Sequence, residues 1–189
     1  MVLSNVMEWN RFSMSALRLI NETEITTSAS TVQFTDLFSA DFDIYKLTIA
    51  NLTTDSAGYL YGRLINSSGS VITASNYSSA NFLMDAANAW TENKGYNQSS
   101  IQYLSFFGSG ATNSTNNTLY IFNPYSSSDY TFLLNQGLGY FGSGSNGAKG
   151  IYVLKQTSSI TGFELSNAYN PSLNLTGGVI RTYGLRVDS

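Results

Sequence analysis

Carboxylates are the side chains in this sequence best suited to acid–base or metal chemistry near neutral pH. The chain carries 12 Asp and Glu residues, no His and no Cys. Losing His removes the commonest general base and the commonest metal ligand. Losing Cys excludes disulfides, thiolate metal sites and cysteine nucleophiles. The tightest acidic grouping is Asp36, Asp41 and Asp43. Oxygen ligands at such spacing could hold Ca²⁺, but the Asp-x-Asp-x-Asp-Gly pattern of a calcium loop is missing. Asp41 and Asp43 more simply flank the solvent side of a strand start. Two carboxylates across a groove could cleave a glycosidic bond, yet nothing in the sequence pairs any two of the acids. The segment Gly142-Ser-Gly-Ser-Asn-Gly-Ala-Lys-Gly150 has the glycine content of a phosphate loop. It lacks the Walker spacing, and Ile151 to Lys155 reads as a strand where phosphate binding needs a helix N-terminus. Gly142 to Gly147 is therefore expected to be a mobile hairpin tip. No catalytic residue, metal or cofactor is expected.

Aromatic side chains are the other candidates. Trp90, Tyr96, Tyr125 and Tyr140 each sit near a Gly/Asn/Ser-rich segment. There they could stack on sugars, or serve as core and subunit-interface aromatics. A second group lies at the N-terminus. Leu3, Val6, Met7, Trp9 and Met14, with Phe12 and Leu17, are apolar, and several fall at i, i+3 and i+4 spacings. Residues 1–19 read as a short amphipathic helix or an extended arm, with a frayed terminus or a first edge strand as the alternative, and Leu3, Val6, Met7, Trp9 and Met14 as a candidate interface. Met adapts to irregular surfaces, and Trp buries a large area in a contact.

Composition bounds the partners. Charged residues make up 11% of the chain, against about 25% in an ordinary soluble domain. Ser, Thr and Asn supply the polarity instead. A hydroxyl and amide surface loses less solvation than a charged one when it meets another surface. The net charge is −3 with no basic run, so no nucleic-acid footprint is expected. No apolar stretch reaches the length of a membrane span, so no membrane partner is expected, and the N-terminus does not read as a signal peptide. Asn-x-Ser/Thr triplets such as Asn51-Leu52-Thr53 read as by-products of the polar bias.

The remainder, residues 20–189, reads as one β domain. Tyr45, Leu47 and Ile49 form a row opposed by Lys46 and Thr48, which is the alternation of a half-buried strand. Gly58 to Ile65 is a strand, and Asn66 to Gly69 turns it into a second strand, Ser70 to Thr73. Asn76 to Tyr96 is undecided between helix and strand. Further strands are expected at Thr31–Phe34, Ser100–Gly108, Thr118–Phe122, Asp129–Asn135, Leu138–Phe141, Ile151–Leu154, Ile160–Leu165, Leu173–Leu175 and Val179–Val187, with a loop at Gly108–Asn117. About ten strands at this spacing argue for an all-β fold, an antiparallel β-sandwich or jelly roll behind a short N-terminal arm.

Three stretches taken in order carry a resemblance. They are Glu24 to Thr35; Asp43 to Leu52, continuing through Tyr59 to Ile65 and Ala74 to Tyr77; and Ile160 to Leu165 with the ending Gly177-Gly-Val-Ile-Arg-Thr-Tyr-Gly-Leu-Arg186. Together they resemble virion proteins of tailed bacteriophages, particularly phages of marine cyanobacteria and other aquatic bacteria. Proteins with this look are head decoration or tail-fibre components. The resemblance implies a β-sandwich without catalysis, and it supplies no functional residues. The expected function is that of a non-enzymatic capsid decoration or cement protein. It would be located in the virion, assembled in the bacterial host cytoplasm, and bound to other virion proteins as a homo-oligomer such as a trimer. A tail-fibre or baseplate accessory that binds host surface glycans is the alternative. A polysaccharide-cleaving enzyme is the third and weakest reading.

Overall fold

A computed structural model describes residues 17–86, 90–108, 113–141, 144–167 and 173–185. Among these residues there is no helix, and twelve strands form. They are β1 (Leu17–Glu24), β2 (Thr31–Phe34), β3 (Ile44–Thr54), β4 (Gly58–Asn66), β5 (Tyr77–Asp85), β6 (Thr91–Gln98), β7 (Ile101–Phe107), β8 (Thr115–Phe122), β9 (Thr131–Phe141), β10 (Gly144–Leu154), β11 (Ile160–Ser166) and β12 (Leu175–Leu185). One sheet has eight strands in the order β1-β12-β3-β8-β9-β10-β5-β6, and the other has four in the order β2-β11-β4-β7. All pairings are antiparallel. The fold is an all-β sandwich. Its chain alternates between sheets except at three steps, β5 to β6, β8 to β9 and β9 to β10, where the β5–β6 and β9–β10 hairpins stay in the large sheet and widen it.

The core is the set of inward rows. Tyr45, Leu47 and Ile49 on β3 are all buried, as their alternation requires. They meet Leu119 and Ile121 of β8, Leu60 and Leu64 of β4, and Phe163 and Leu165 of β11 in one cluster. After Ile49 the parity changes. Asn51 adopts a positive φ of 53°, the pairing slips between Ile49 and Leu52, and Leu52 turns inward. Asn tolerates this left-handed conformation better than most residues. The facing strand slips at the same place, at Gly177 and Gly178. Gly178 has a φ of +132°, and a Cβ there would stand 2.9 Å from the Leu52 Cα, so only Gly fits. This paired bulge joins the expected strands Leu173–Leu175 and Val179–Val187 into one.

Several other expectations change. The arm was bounded at residue 19, but Leu17 to Leu19 already pair with β12; Leu3, Val6, Met7, Trp9 and Met14 lie outside the described residues. Asn76 to Tyr96 forms two strands, because β5 fills the free edge of β10 and β6 then pairs with β5. Ser70 to Thr73 is not a strand. β4 already has β11 and β7 on its edges, and Val71 makes only an isolated bridge to Ile65. The loop expected to end at Asn117 gives way to β8 from Thr115. Asp129–Asn135 and Leu138–Phe141 are one strand, β9. The expected mobile tip at Gly142 to Gly147 is instead largely β10, which begins at Gly144 and is paired on both sides by β9 and β5.

The glycines that looked like a loop are there for close approach. Strand β7 is the edge of the small sheet, and it lies against the face of the large one. Cα atoms of β7 and β9 come within 8 Å, closer than the roughly 10 Å usual between packed sheets. A bulge opens β7 between its pairings at Ile101 and Ser105, with Tyr103 at a φ of 59°. The freed carbonyls then point at the large sheet. Leu104 O accepts from Asn117 Nδ2 and from Asn135 Nδ2, both at 2.7 Å. Gln102 O accepts from Asn81 Nδ2 at 3.2 Å, and Tyr103 O accepts from the Tyr152 hydroxyl at 3.3 Å. Ser105 and Thr115 share a hydroxyl hydrogen bond. A Cβ on Gly137 would stand 2.8 Å from Leu104 O.

Asn117→Ala leaves Leu104 O one donor short and is expected to cost about 1–3 kcal/mol. Asn117→Asp sets an acceptor-only carboxylate against a carbonyl and is expected to cost about 3 kcal/mol or more. Gly137→Ala pushes the sheets apart for about 1–3 kcal/mol. Equilibrium urea unfolding measures all three. Burial raises the hydroxyl pKa of Tyr152 and of Tyr77 far above the ordinary tyrosine value. The native state keeps protons that the unfolded chain releases above about pH 10, so stability is full below that pH and falls as pH rises beyond it. Tyr152→Phe and Tyr77→Phe are each expected to flatten that alkaline loss, read as urea midpoints between pH 8 and pH 11.

Candidate functional site

Strands covered on both faces read as near-continuous apolar runs, whereas strands wetted on one face alternate. Phe132-Leu133-Leu134 of β9 and Ile151-Tyr152-Val153-Leu154 of β10 are continuous runs. Leu133, Tyr152 and Leu154 point inward and are buried. Their neighbours point outward and are not: Ile151 is 60% exposed, Phe132 48% and Leu134 37%. The outer face of the large sheet is therefore apolar where water is its only contact among the described residues.

Register turns these side chains into a band. Val153, Phe132, Phe122, Ile44, Leu185 and Leu17 stand opposite one another in turn across six strands, from β10 to β1. The next row inward along the strands holds Ala80, Ile151, Leu134 and Tyr120 before Lys46 breaks it. The following row is polar, with Glu92, Lys149, Gln136, Thr118, Thr48 and Arg181 around a single Phe82. The band thus has a defined polar limit. Between β6 and β9 the face is concave and encloses about 510 Å³ over Ala80, Phe82, Leu134 and Ile151, with Glu92 and Lys94 at its rim. That volume is in the range of ligand pockets.

The expected aromatics are distributed around this face and do not converge. Trp90, 67% exposed, leads into β6 and meets Phe82 edge-on at 5.3 Å between ring centroids. Tyr96 lies on β6 beside Phe132 and Ile151, and the Lys155 Nζ sits 3.9 Å from its ring centroid. Tyr140 faces outward near the end of β9, opposite Ser145. Tyr125 lies in the turn after β8 and lines none of this face. Sequence reasoning missed Phe132, Leu134 and Ile151. Their signal was legible: both parities of a strand are apolar.

The carboxylates do not assemble. Among the described residues no three Asp or Glu side chains gather as a metal site would require. The best-held acid is Glu164, which accepts from Gln33 Nε2 at 2.8 Å and pairs with Arg63 at 3.4 Å on the outside of the small sheet. That row is structural, since every partner is already engaged. No family model, no curated protein and no solved structure matches the chain.

Ile151→Ser is expected to change stability by no more than about 0.5 kcal/mol, because its side chain is mostly in water. Leu133→Ala, from the opposite face of the neighbouring strand, is expected to cost about 2–5 kcal/mol. Urea unfolding of the two variants checks that the apolar band serves something other than the fold.

Proposed function

We propose that this chain is a non-enzymatic structural protein of a bacteriophage particle, a capsid decoration or cement protein that adheres to other virion proteins. The observation that carries the reading is the outward apolar band, Val153 to Leu17, on a rigid sheet. A contiguous exposed apolar patch marks an interaction surface. Adhesion needs such a surface and no reacting group. The sparse charge of the chain suits a protein packed against neighbours, since little solvation is lost in contact.

The topology supports the same reading. Without the β5–β6 and β9–β10 hairpins, one half-sheet is β1-β12-β3-β8 and the other is β2-β11-β4-β7. Successive strands then swap sheets at every step but one, as in an eight-stranded jelly roll of two Greek keys, an architecture of viral capsid proteins and lectins. The two hairpins are additions to that frame, and they carry Phe132, Leu134 and Ile151. A decoration protein that binds only the assembled shell stabilises it by mass action.

A second reading, a tail-fibre or baseplate accessory binding host glycans, is favoured by the exposure of Trp90 and Tyr96 beside a concave surface. Imaging of particles labelled at the C-terminus of this chain separates the two. Label over the head is expected; label on the tail refutes decoration, and particles without label refute a virion protein. Glycan-array binding that disappears in Trp90→Ala would move the assignment to the second reading.

A further inference from the structure

We infer that the apolar band is where copies of this chain join, and that residues 1–16 of a neighbouring copy lie on it. The inference rests on the adhesive reading and names the partner as the chain itself. Three observations converge. First, β9 and β10 are apolar on both parities, the pattern of strands covered on both faces, yet their outer side is open. Among the described residues nothing covers that side.

Second, the chain supplies a cover of matching chemistry and reach. Residues 1–16 contain Val2, Leu3, Val6, Met7, Trp9, Phe12 and Met14, with Glu8 and Arg11 as the only charges. Sixteen extended residues reach about 53 Å. Eight strands at about 4.8 Å spacing make a face only about 34 Å wide. The segment can therefore span the whole band.

Third, the segment enters at the right place and in the right direction. Leu17, its point of attachment, is itself the last member of the band, at the outer edge of the sheet. Strand β1 is extended there. Continuing β1 backwards carries the segment past the end of its own sheet and onto a neighbour, where it extends the neighbour's apolar rows. Each copy then gives one segment and receives one, a head-to-tail contact that closes into a ring when its rotation allows.

The absence of Cys makes the test direct, because introduced thiols have no competitors. Full-length Asn10→Cys and Lys149→Cys chains, distinguished by tag size, are co-expressed and oxidised. Lys149 is exposed and borders the band. Ser67→Cys, in the turn after β4 on the small sheet, replaces Lys149→Cys as the control. A disulfide between the two chains is expected, about tenfold more abundant than with the control, as docking raises effective concentration. Equal capture by Ser67→Cys, or no mixed disulfide, overturns the inference. So does a bond that closes only within a single chain carrying both substitutions, since the cover is then the chain's own segment. Light scattering supplies a second readout: a defined oligomer is expected for the unmodified chain and a monomer for Ile151→Asp. An unmodified chain that is monomeric also overturns the inference. Chains that decorate particles without cross-linking would sink this inference alone. Chains that cross-link but appear on no particle would sink the virion assignment alone.

Discussion

A backbone carbonyl buried without a partner costs free energy comparable to a lost hydrogen bond, and β7 turns three of them toward the interior. The bulge at Tyr103 frees the carbonyls of Gln102, Tyr103 and Leu104 from the ladder with β4. The large sheet answers with Asn81, Tyr152, Asn117 and Asn135. This stitch replaces apolar packing at one end of the sandwich. It works only because β9 and β10 are glycine-rich where β7 crosses them, so that the two backbones approach. Much else follows from it. The edge of the small sheet is closed, which removes one site of uncontrolled strand pairing. Strands β9, β10 and β5 pack against β7, and their opposite face is the outer surface of the large sheet.

The same stitch fixes what the outer face displays. Apolar side chains on a mobile loop would collapse onto the nearest surface. On β9 and β10 they cannot, because the inward residues of the same strands are locked into the core and the amide network. The sheet therefore displays Phe132, Leu134 and Ile151 in fixed register with Phe122, Ile44 and Leu17. A preorganised surface of this kind loses little conformational freedom on binding, so more of its buried area appears as affinity. The polar row from Glu92 to Arg181 limits the band on one side.

Local pattern was sufficient on β3, where one face is core and the other is partly wet. Tyr45, Leu47 and Ile49 alternate with Lys46 and Thr48, and they are core in the folded chain. The turn at Asn66 to Gly69 was legible because Gly69 supplies the positive φ that a turn needs. Pattern failed wherever a residue's role depends on a distant strand. Gly144 to Gly150 has the composition of a loop; it becomes the interior of a sheet because β9 and β5 pair with it and the neighbouring β7 crosses closely. The Ala-containing stretch from Asn81 to Trp90 is undecided by pattern, with the composition of a short helix but equally readable as strand then loop. Pairing with β10 makes its first half a strand, and no local propensity anticipates a partner about 65 residues away.

Thus the residues alone specify an all-β sandwich, the inward row on β3, and the want of His and Cys chemistry. Those properties depend on side-chain type and on a period of two, which are local. The site belongs to the other category. Six apolar residues from six separate strands become one band only after the registers are set, and those registers belong to pairings between strands that no short window reveals. A surface assembled across strands is a product of long-range pairing, and so only the folded sheet discloses it.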